Sequence, residues 1–306
     1  MLSYLTKRLL ASGLILLGIT LVTFCLSFLI PADPVRMIAG RSATPETVES
    51  IRRQLGLDRP LPVQYASYVT KLVHGDLGRS YVQKTEVAIL IQSRLPATLL
   101  LMAGAIFFEV LIGIPAGIFA ATRRGRPADR GIMVVSFAGV STPQFVVGLL
   151  LLYVFAYLLG WFPLSGYGTL NHLVLPALTL GIAGGGWYSR MMRSSMVEVL
   201  RHDYIRTARA KGLSEGKVIL VHGLRNAVLP VIAMIGLDVG IFMSGAVVVE
   251  SVYGWPGIGQ LAWQAIQRID IPIIMGVTLV AAVAIVLGNL LADLIAPLVD
   301  PRIRLR

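Results

Sequence analysis

Long apolar segments separated by short charged stretches constrain this chain more than any other feature. Segments 97–121, 132–159, 228–249 and 273–296 each contain at most one charged residue. Each is long enough to cross the roughly 30 Å of hydrocarbon in a bilayer. A fifth segment, 172–190, is similar but diluted by glycine. With an apolar N-terminal run, these segments predict an all-α integral membrane protein with six transmembrane helices.

The N-terminal apolar run extends from Leu9 to Ile30 behind two cations, a pattern that signal peptides share with first membrane spans. It is about twenty-two residues long, more than the apolar core of a signal peptide, and no small-x-small cleavage site follows it before Pro31. The run is therefore predicted to be an uncleaved span whose N-terminus is cytoplasmic.

The apolar pattern divides the chain into three predicted parts. These are an N-terminal transmembrane helix (1–30), an extracytoplasmic helical subdomain (31–95) and a five-helix core (96–306) that contains a polar loop at 191–229. In the subdomain, one helix is predicted to start at Thr44 and a second to cover 65–73. Two roles stay open for it, docking of a substrate-binding protein or a lid that only stabilises the membrane core.

Positive charge is concentrated in particular loops. The chain has 27 Lys and Arg against 16 Asp and Glu, a net charge of +11. The cation-rich stretches are 123–130, 190–227 and 302–306. In the short loops 160–171 and 250–272, by contrast, Arg268 is the only Lys or Arg. Because cytoplasmic loops carry the excess of Lys and Arg, both termini are predicted to be cytoplasmic. This distribution explains the net charge without nucleic acid.

A polar island from Met191 to Ile232 interrupts the apolar pattern and is too polar to cross a bilayer. Asp203 is a predicted N-cap and Gly212 a predicted C′ residue, which gives a helix of about eight residues, ~12 Å long. Ser214 is predicted to cap the next helix, which Pro230 ends or kinks. So short a helix needs a partner to hold it. Its small and cationic residues suit a groove on another protein: Tyr204, Arg206, Thr207, Ala208, Arg209, Lys211, Gly212 and Leu213.

The motif Arg206-Thr207-Ala208-x-x-x-Gly212, followed by Leu229-Pro230, resembles the cytoplasmic "EAA" coupling loop in membrane subunits of binding-protein-dependent ABC importers. The general family has Glu-Ala-Ala where this chain has Arg206-Thr207-Ala208. The sequence around this motif resembles that of the dipeptide/oligopeptide/nickel permease branch. The Gly254-Trp255-Pro256-Gly257 turn, with Trp255 predicted to be interfacial, and Ser141-x-Pro143-x-Phe145 resemble the same branch.

The resemblance implies a type I ABC importer permease that forms half of a pore in the inner (plasma) membrane. The implied partners are a paralogous permease subunit, two cytoplasmic ABC ATPase subunits that hold ATP and Mg, and an extracytoplasmic peptide-binding protein. The substrate is expected to be a dipeptide or oligopeptide, with a nickel chelate as the alternative and an intramembrane enzyme as a distant one. The sequence contains no Gly-x-x-x-x-Gly-Lys-Ser/Thr loop, and no cofactor or metal site is predicted in this chain.

Two carboxylates lie in the middle of predicted spans, where ionisable groups are costly and often functional. The resemblance places the helix of Asp238 along the translocation path, and Asp238, Ser141 and Gln144 are the candidate path residues. A structural hydrogen bond to a neighbouring helix stays open for Asp238. Glu109 is assigned a structural role.

Small residues one helical turn apart mark predicted contacts between spans. The pairs are Gly113/Gly117, Gly181/Gly185 and Gly236/Gly240. In lipid, helix association depends on close packing, so these pairs are expected to lie at helix interfaces. Two further carboxylates, Glu250 and Asp270, are expected to be solvated near the outer mouth.

Overall fold

The computed structural model describes residues 2–29, 35, 39, 43–243 and 245–299 of the protein. Within these ranges the chain is helical, with one isolated antiparallel bridge and no β-strand. The helices are α1 (Leu2–Leu29), α2 (Pro45–Gln54), α3 (Leu61–Val73), α4 (Val87–Thr122), α5 (Pro127–Ser141), α6 (Gln144–Leu158), α7 (Leu170–Val199), α8 (Asp203–Ala210), α9 (Glu215–Ala227), α10 (Leu229–Met243), α11 (Val247–Val252), α12 (Ile258–Gln267) and α13 (Ile271–Val299). The all-α prediction is confirmed. The cationic tail 302–306 lies outside the described residues.

Six helical units correspond to the predicted spans. Helices α1, α4 and α13 are each long and apolar enough to cross a membrane. Two more are found in bent pairs that pass the same test together, α5 with α6 and α9 with α10. In the second pair α10 corresponds to the predicted span, and α9 belongs to the polar island. The sixth, α7, has 30 residues, so it is about 45 Å long. Its hydropathy is low because glycines and a polar C-terminal half dilute the apolar residues.

The segment predicted as a single span at 132–159 is two helices that meet at an angle of 101°. Pro143 causes the break, because proline has no N–H to donate and its ring excludes the preceding residue from helical geometry. Thr142 is accordingly extended, with φ −79° and ψ 126°. Its hydroxyl donates to the Ala138 carbonyl at 2.7 Å and closes the end of α5.

The amphipathic region after α1 contains two helices at nearly the predicted positions. Thr44 caps α2, and its hydroxyl accepts from the Thr47 N–H at 3.3 Å, as predicted. The second helix begins at Leu61 rather than at Tyr65, because Pro62 fits the first turn of a helix. Tyr65 packs α3 against α1 through a hydrogen bond of 3.1 Å to Thr20.

Helices α4 and α7 form the central pair of the fold, and their glycines face each other. A side-chain carbon at Gly113 would overlap Tyr188, and one at Gly117 would overlap Met192. On the other side of the fold, Gly240 lies against Ile285 where α10 meets α13. The predicted glycine contacts therefore join helices within the subunit.

The Gly-Trp-Pro-Gly turn is part of the core, so the prediction of an interfacial tryptophan is wrong. Trp255 is fully buried, and its indole Nε1 donates to the Ala97 carbonyl of α4 at 2.9 Å. Tyr167 packs against the indole edge-on at 4.9 Å between ring centroids. A buried tryptophan needs an acceptor for its N–H, and the first half of α4 supplies it.

The carboxylates expected to be solvated at the outer mouth are both buried, so that expectation is also wrong. Asp270 accepts from the Ser80 hydroxyl at 2.5 Å and from the N–H groups of Tyr81 and Val82, both at 3.1 Å. Glu250 accepts from the Gln260 N–H at 2.6 Å in the first turn of α12. The N–H groups of Tyr81 and Val82 stabilise the Asp270 carboxylate without solvent, because ionised groups make the strongest hydrogen bonds. In Glu250, by contrast, Oε1 is buried and has no hydrogen-bond partner among the described residues.

An ion pair fastens the start of α5 to α7. Arg193 donates from Nε and Nη2 to the two oxygens of Asp129, at 2.5 and 2.7 Å. Asp129 also accepts from the Gly125 N–H at 2.9 Å, so it fixes the preceding loop as well. The Asp129 side chain is 4% exposed and that of Arg193 28%.

We expect Asp129→Asn to lower the free energy of unfolding by about 1–2 kcal/mol, less than for a fully buried pair because Arg193 is partly hydrated. The measurement is the thermal unfolding midpoint of the detergent-solubilised protein. Glu49→Gln is the matched control, because Glu49 pairs with Arg53 at 3.4 Å on an exposed surface. An equal shift in both variants would contradict a stabilising role for the Asp129–Arg193 pair.

Candidate functional site

Helix α8 begins one residue earlier than predicted. His202 is the N-cap, with extended backbone angles of φ −68° and ψ 150°, and Asp203 is the first helical residue. The carboxylate of Asp203 therefore acts within the first turn, where a negative charge favours the helix dipole. Arg206 pairs with it loosely, at 3.4 Å.

The C-terminus of α8 has the predicted glycine stop. Gly212 has φ +73°, a conformation that glycine adopts without steric cost. Its N–H donates to the Arg209 carbonyl at 2.9 Å, and the Leu213 N–H donates to the Ala208 carbonyl at 3.4 Å. These two bonds form a Schellman motif. The end of α8 thus has a defined geometry.

Helix α8 has one buried and one exposed face. Ile205 and Ala208 are buried and pack with Val218 of α9. Of the predicted docking residues, Ala208 therefore faces the chain's own interior and Leu213 is half-buried. The others form the exposed surface of the turn, which we call the α8 surface: Tyr204, Arg206, Thr207, Arg209, Lys211 and Gly212.

Two side-chain contacts fix α8 to α9. Nε and Nη2 of Arg209 donate to the two carboxylate oxygens of Glu215, at 2.6 and 3.3 Å. At the other end of α9, the Asn226 amide donates to the Tyr204 hydroxyl at 2.7 Å. This partner of Arg209 was not predicted, because Glu215 lies on a different helix. These contacts make α8 and α9 one packed unit.

The unit continues directly into the apolar helix α10. Helices α9 and α10 meet at 48°, with the break at Val228 and Pro230 in the first turn of α10. This agrees with the predicted kink. The predicted serine cap of α9 is only positional, because Ser214 occupies the N-cap without a side-chain hydrogen bond.

A polar cluster lies between α4, α7 and α10, halfway along the predicted spans. The Tyr188 hydroxyl donates to Oδ2 of Asp238. The Glu109 carboxyl lines the same cavity as Asp238. The bond from Tyr188 is the helix-to-helix contact considered for Asp238. Asp238 thus accepts a hydrogen bond from Tyr188, whereas Oε2 of Glu109 has no hydrogen-bond partner among the described residues.

A cavity of about 230 Å³ opens beside this cluster. Of the three candidate path residues, Asp238 and Gln144 line it, whereas Ser141 does not. Ser141 is exposed at the end of α5, one residue before the lining residue Thr142. The bend at Pro143 directs Thr142 and Gln144 to this place. The sequence analysis missed Thr142 and assigned Glu109, which also lines the cavity, only to structure.

The chain matches two protein-family descriptions that together cover nearly its whole length. Residues 113–305 match "Binding-protein-dependent transport system inner membrane component". Residues 1–102 match the N-terminal region of membrane components of the same transport systems.

Curated relatives match over the full length. The "Glutathione transport system permease protein GsiC" of Escherichia coli strain K12 is 42% identical over 304 residues, which is 99% of both chains. The protein of the same name from Salmonella choleraesuis strain SC-B67 has the same identity and coverage.

Solved structures show the same fold. A chain of the MetNI methionine ABC transporter in an inward-facing conformation superposes with a TM-score of 0.58 at 19% identity, covering 69% of this chain and 96% of that one. A second crystal form gives a TM-score of 0.55 at 19% identity, over 70% and 97% of the two chains. The fold of these structures and the full-length relatives indicate the same family. The chain belongs to the inner-membrane components of binding-protein-dependent transport systems and is the permease subunit of an ABC importer, a transport component rather than an enzyme.

Proposed function

We propose that this permease imports short peptides, glutathione among them, and that the α8 surface couples it to ATP hydrolysis on separate subunits. The substrate class follows from the full-length relatives named for glutathione transport at 42% identity. The observation that carries the coupling role is the continuity of the exposed, cationic α8 through α9 into α10. Membrane components of this kind act with ATPase and substrate-binding partners.

In the proposed assembly, a paralogous permease forms the other half of the pore. Two ATPase subunits bind ATP and Mg on the cytoplasmic side, and a peptide-binding protein delivers substrate on the other side. The positive-inside distribution supports this orientation, because the α8 surface and the 123–130 loop are both cation-rich. Region 31–95 then lies outside the cytoplasm.

The mechanism follows from the packing of α8. A groove on each ATPase holds the exposed face of α8, and closure of the ATPases around ATP displaces it. Because Arg209–Glu215 and Tyr204–Asn226 tie α8 to α9 at 2.6 and 2.7 Å, the two helices move together. The displacement passes to α10 and changes its position against α7. Hydrolysis then returns the pore to its inward-open state.

Reversing the charge of Arg206 tests the docking surface with little disturbance of the fold, since its side chain is 77% exposed and its contact with Asp203 is loose. We expect Arg206→Glu to insert and assemble normally but to reduce ATP-driven uptake at least tenfold. Glutathione uptake into proteoliposomes containing the whole complex is the measurement.

Arg53→Glu is the control for this change, because Arg53 is 72% exposed and pairs with Glu49 at the same distance of 3.4 Å on the predicted outer side. Equal uptake by Arg206→Glu and the wild type would disprove the coupling assignment.

Gly212 tests whether the geometry of the turn matters. Gly212→Ala places a side chain at φ +73°, which costs about 1 kcal/mol. We expect faster hydrogen exchange in α8 and weaker stimulation of ATPase activity by substrate and binding protein. Gly216→Ala is the control, because Gly216 lies in α9 with open space around its Cα. Identical exchange and stimulation in the two variants would argue against a role for the turn.

A further inference from the structure

The cavity between α4, α7 and α10 has an acidic wall and no cationic one. Among the described residues that line it, Glu109 and Asp238 are the charged ones. The nearest basic group along α7 is Arg190, whose guanidinium lies over the rings of Phe137 and Trp187 at 4.6 and 4.1 Å. Nothing in this lining set neutralises the two acids.

Glu109 is buried without a complete set of donors. It is 2% exposed, and its Oε2 has no hydrogen-bond partner in the described part of the chain. An ionised oxygen in such a place is costly unless a donor or a cation reaches it. Two carboxyl groups in contact also repel each other unless a proton or a cation lies with them.

The backbone of α7 is shaped to hold the Glu109 carboxyl in this position. Gly184 faces it directly, and any side chain at 184 would occupy the place of the Glu109 oxygens. Tyr188, one turn further, donates to Asp238 and orients that carboxyl. The acidic wall is therefore built by specific residues of a second helix.

The other residues of the lining indicate the kind of cation. Thr142 and Gln144 offer a hydroxyl and an amide oxygen, and Phe242 adds an aromatic ring. The Trp187 ring is already covered on one face by the Arg190 guanidinium. Five apolar side chains, Phe242 included, also line the cavity: Val140, Leu180, Ala183, Ile241 and Phe242. A hard metal ion takes six or more oxygen ligands, whereas an alkylammonium group combines three donors with carbon and is attracted to aromatic faces.

We propose that Glu109 and Asp238 bind the primary ammonium group of the transported substrate, with its first carbons against the apolar residues. This inference rests on the proposed peptide import. The volume of about 230 Å³ is below the ~300–1,000 Å³ of pockets that enclose whole small ligands. The cavity therefore takes the amino end of a peptide and leaves the rest in the pore.

The test is direct binding to the purified complex of this permease with its partner permease and ATPases, in nanodiscs without the binding protein. The probes are trialanine and N-acetyl-trialanine, which differ in the ammonium group. By isothermal titration calorimetry we expect the wild type to prefer trialanine at least tenfold, as a charge-assisted contact predicts. Glu109→Gln and Asp238→Asn should each abolish this preference.

Glu49→Gln is the matched control, because it makes the same carboxyl-to-amide change on an exposed surface away from the cavity, and it should keep the preference. The acetylated probe tests the wild type itself, so the result does not depend on a variant that fails to fold. Equal affinity for the two probes, no peptide binding, or a preference that survives in both acid variants would overturn the proposal.

Competition by NaCl alone, without any preference between the peptides, would overturn it as well. Uptake of trialanine and glutathione with the binding protein present is measured separately. Failure of that uptake would contradict the proposed function, whereas normal uptake without an amine preference would remove only this site.

Discussion

The close approach of α4 and α7 is the contact on which the remaining structure depends. In lipid, apolar side chains gain little by leaving the solvent, so helices associate through shape and through polar contacts. The glycines at 113 and 117 let α4 meet Tyr188 and Met192 of α7 at short range. This approach encloses Glu109, which would otherwise face hydrocarbon at a high cost. The packing and the acidic cavity therefore have one origin.

The features that sequence reasoning predicted are those encoded locally. The apolar segments predicted the spans, Thr44 predicted the start of α2, and Gly212 predicted the end of α8. Each of these signals depends on the residue itself and on the backbone next to it. Glycine pairs gave helix interfaces for a similar reason, since a small residue limits what can pack beside it. Pro143 marked a possible bend, but not an angle of 101°, which the packing of both helices sets.

Features that depend on partners distant in the chain were not predictable. The buried indole of Trp255 donates to the carbonyl of Ala97, 158 residues away. The buried carboxylate of Asp270 accepts from the hydroxyl of Ser80, 190 residues away. The sequence predicted helix α8 but did not show that Ile205 and Ala208 turn inward. Val218 decides this by packing on Ala208. The place of Glu109 in the cavity was not predictable for the same reason, because its surroundings are formed by Gly184 and Asp238 on other helices.

In the proposed mechanism, a continuous series of contacts joins the α8 surface to the cavity. The series begins with the ion pair and hydrogen bond that hold α8 on α9. It continues across the 48° bend into α10 and ends at Asp238, whose carboxyl binds Tyr188 of α7. Because α7 is held by its glycine contacts with α4, a displacement of α8 moves α10 against a fixed neighbour. In the proposed mechanism, ATP binding therefore changes the relation of Asp238 to Tyr188 and Glu109. In this proposal, the site for the ammonium group is also the place where the pore responds to the state of the ATPases.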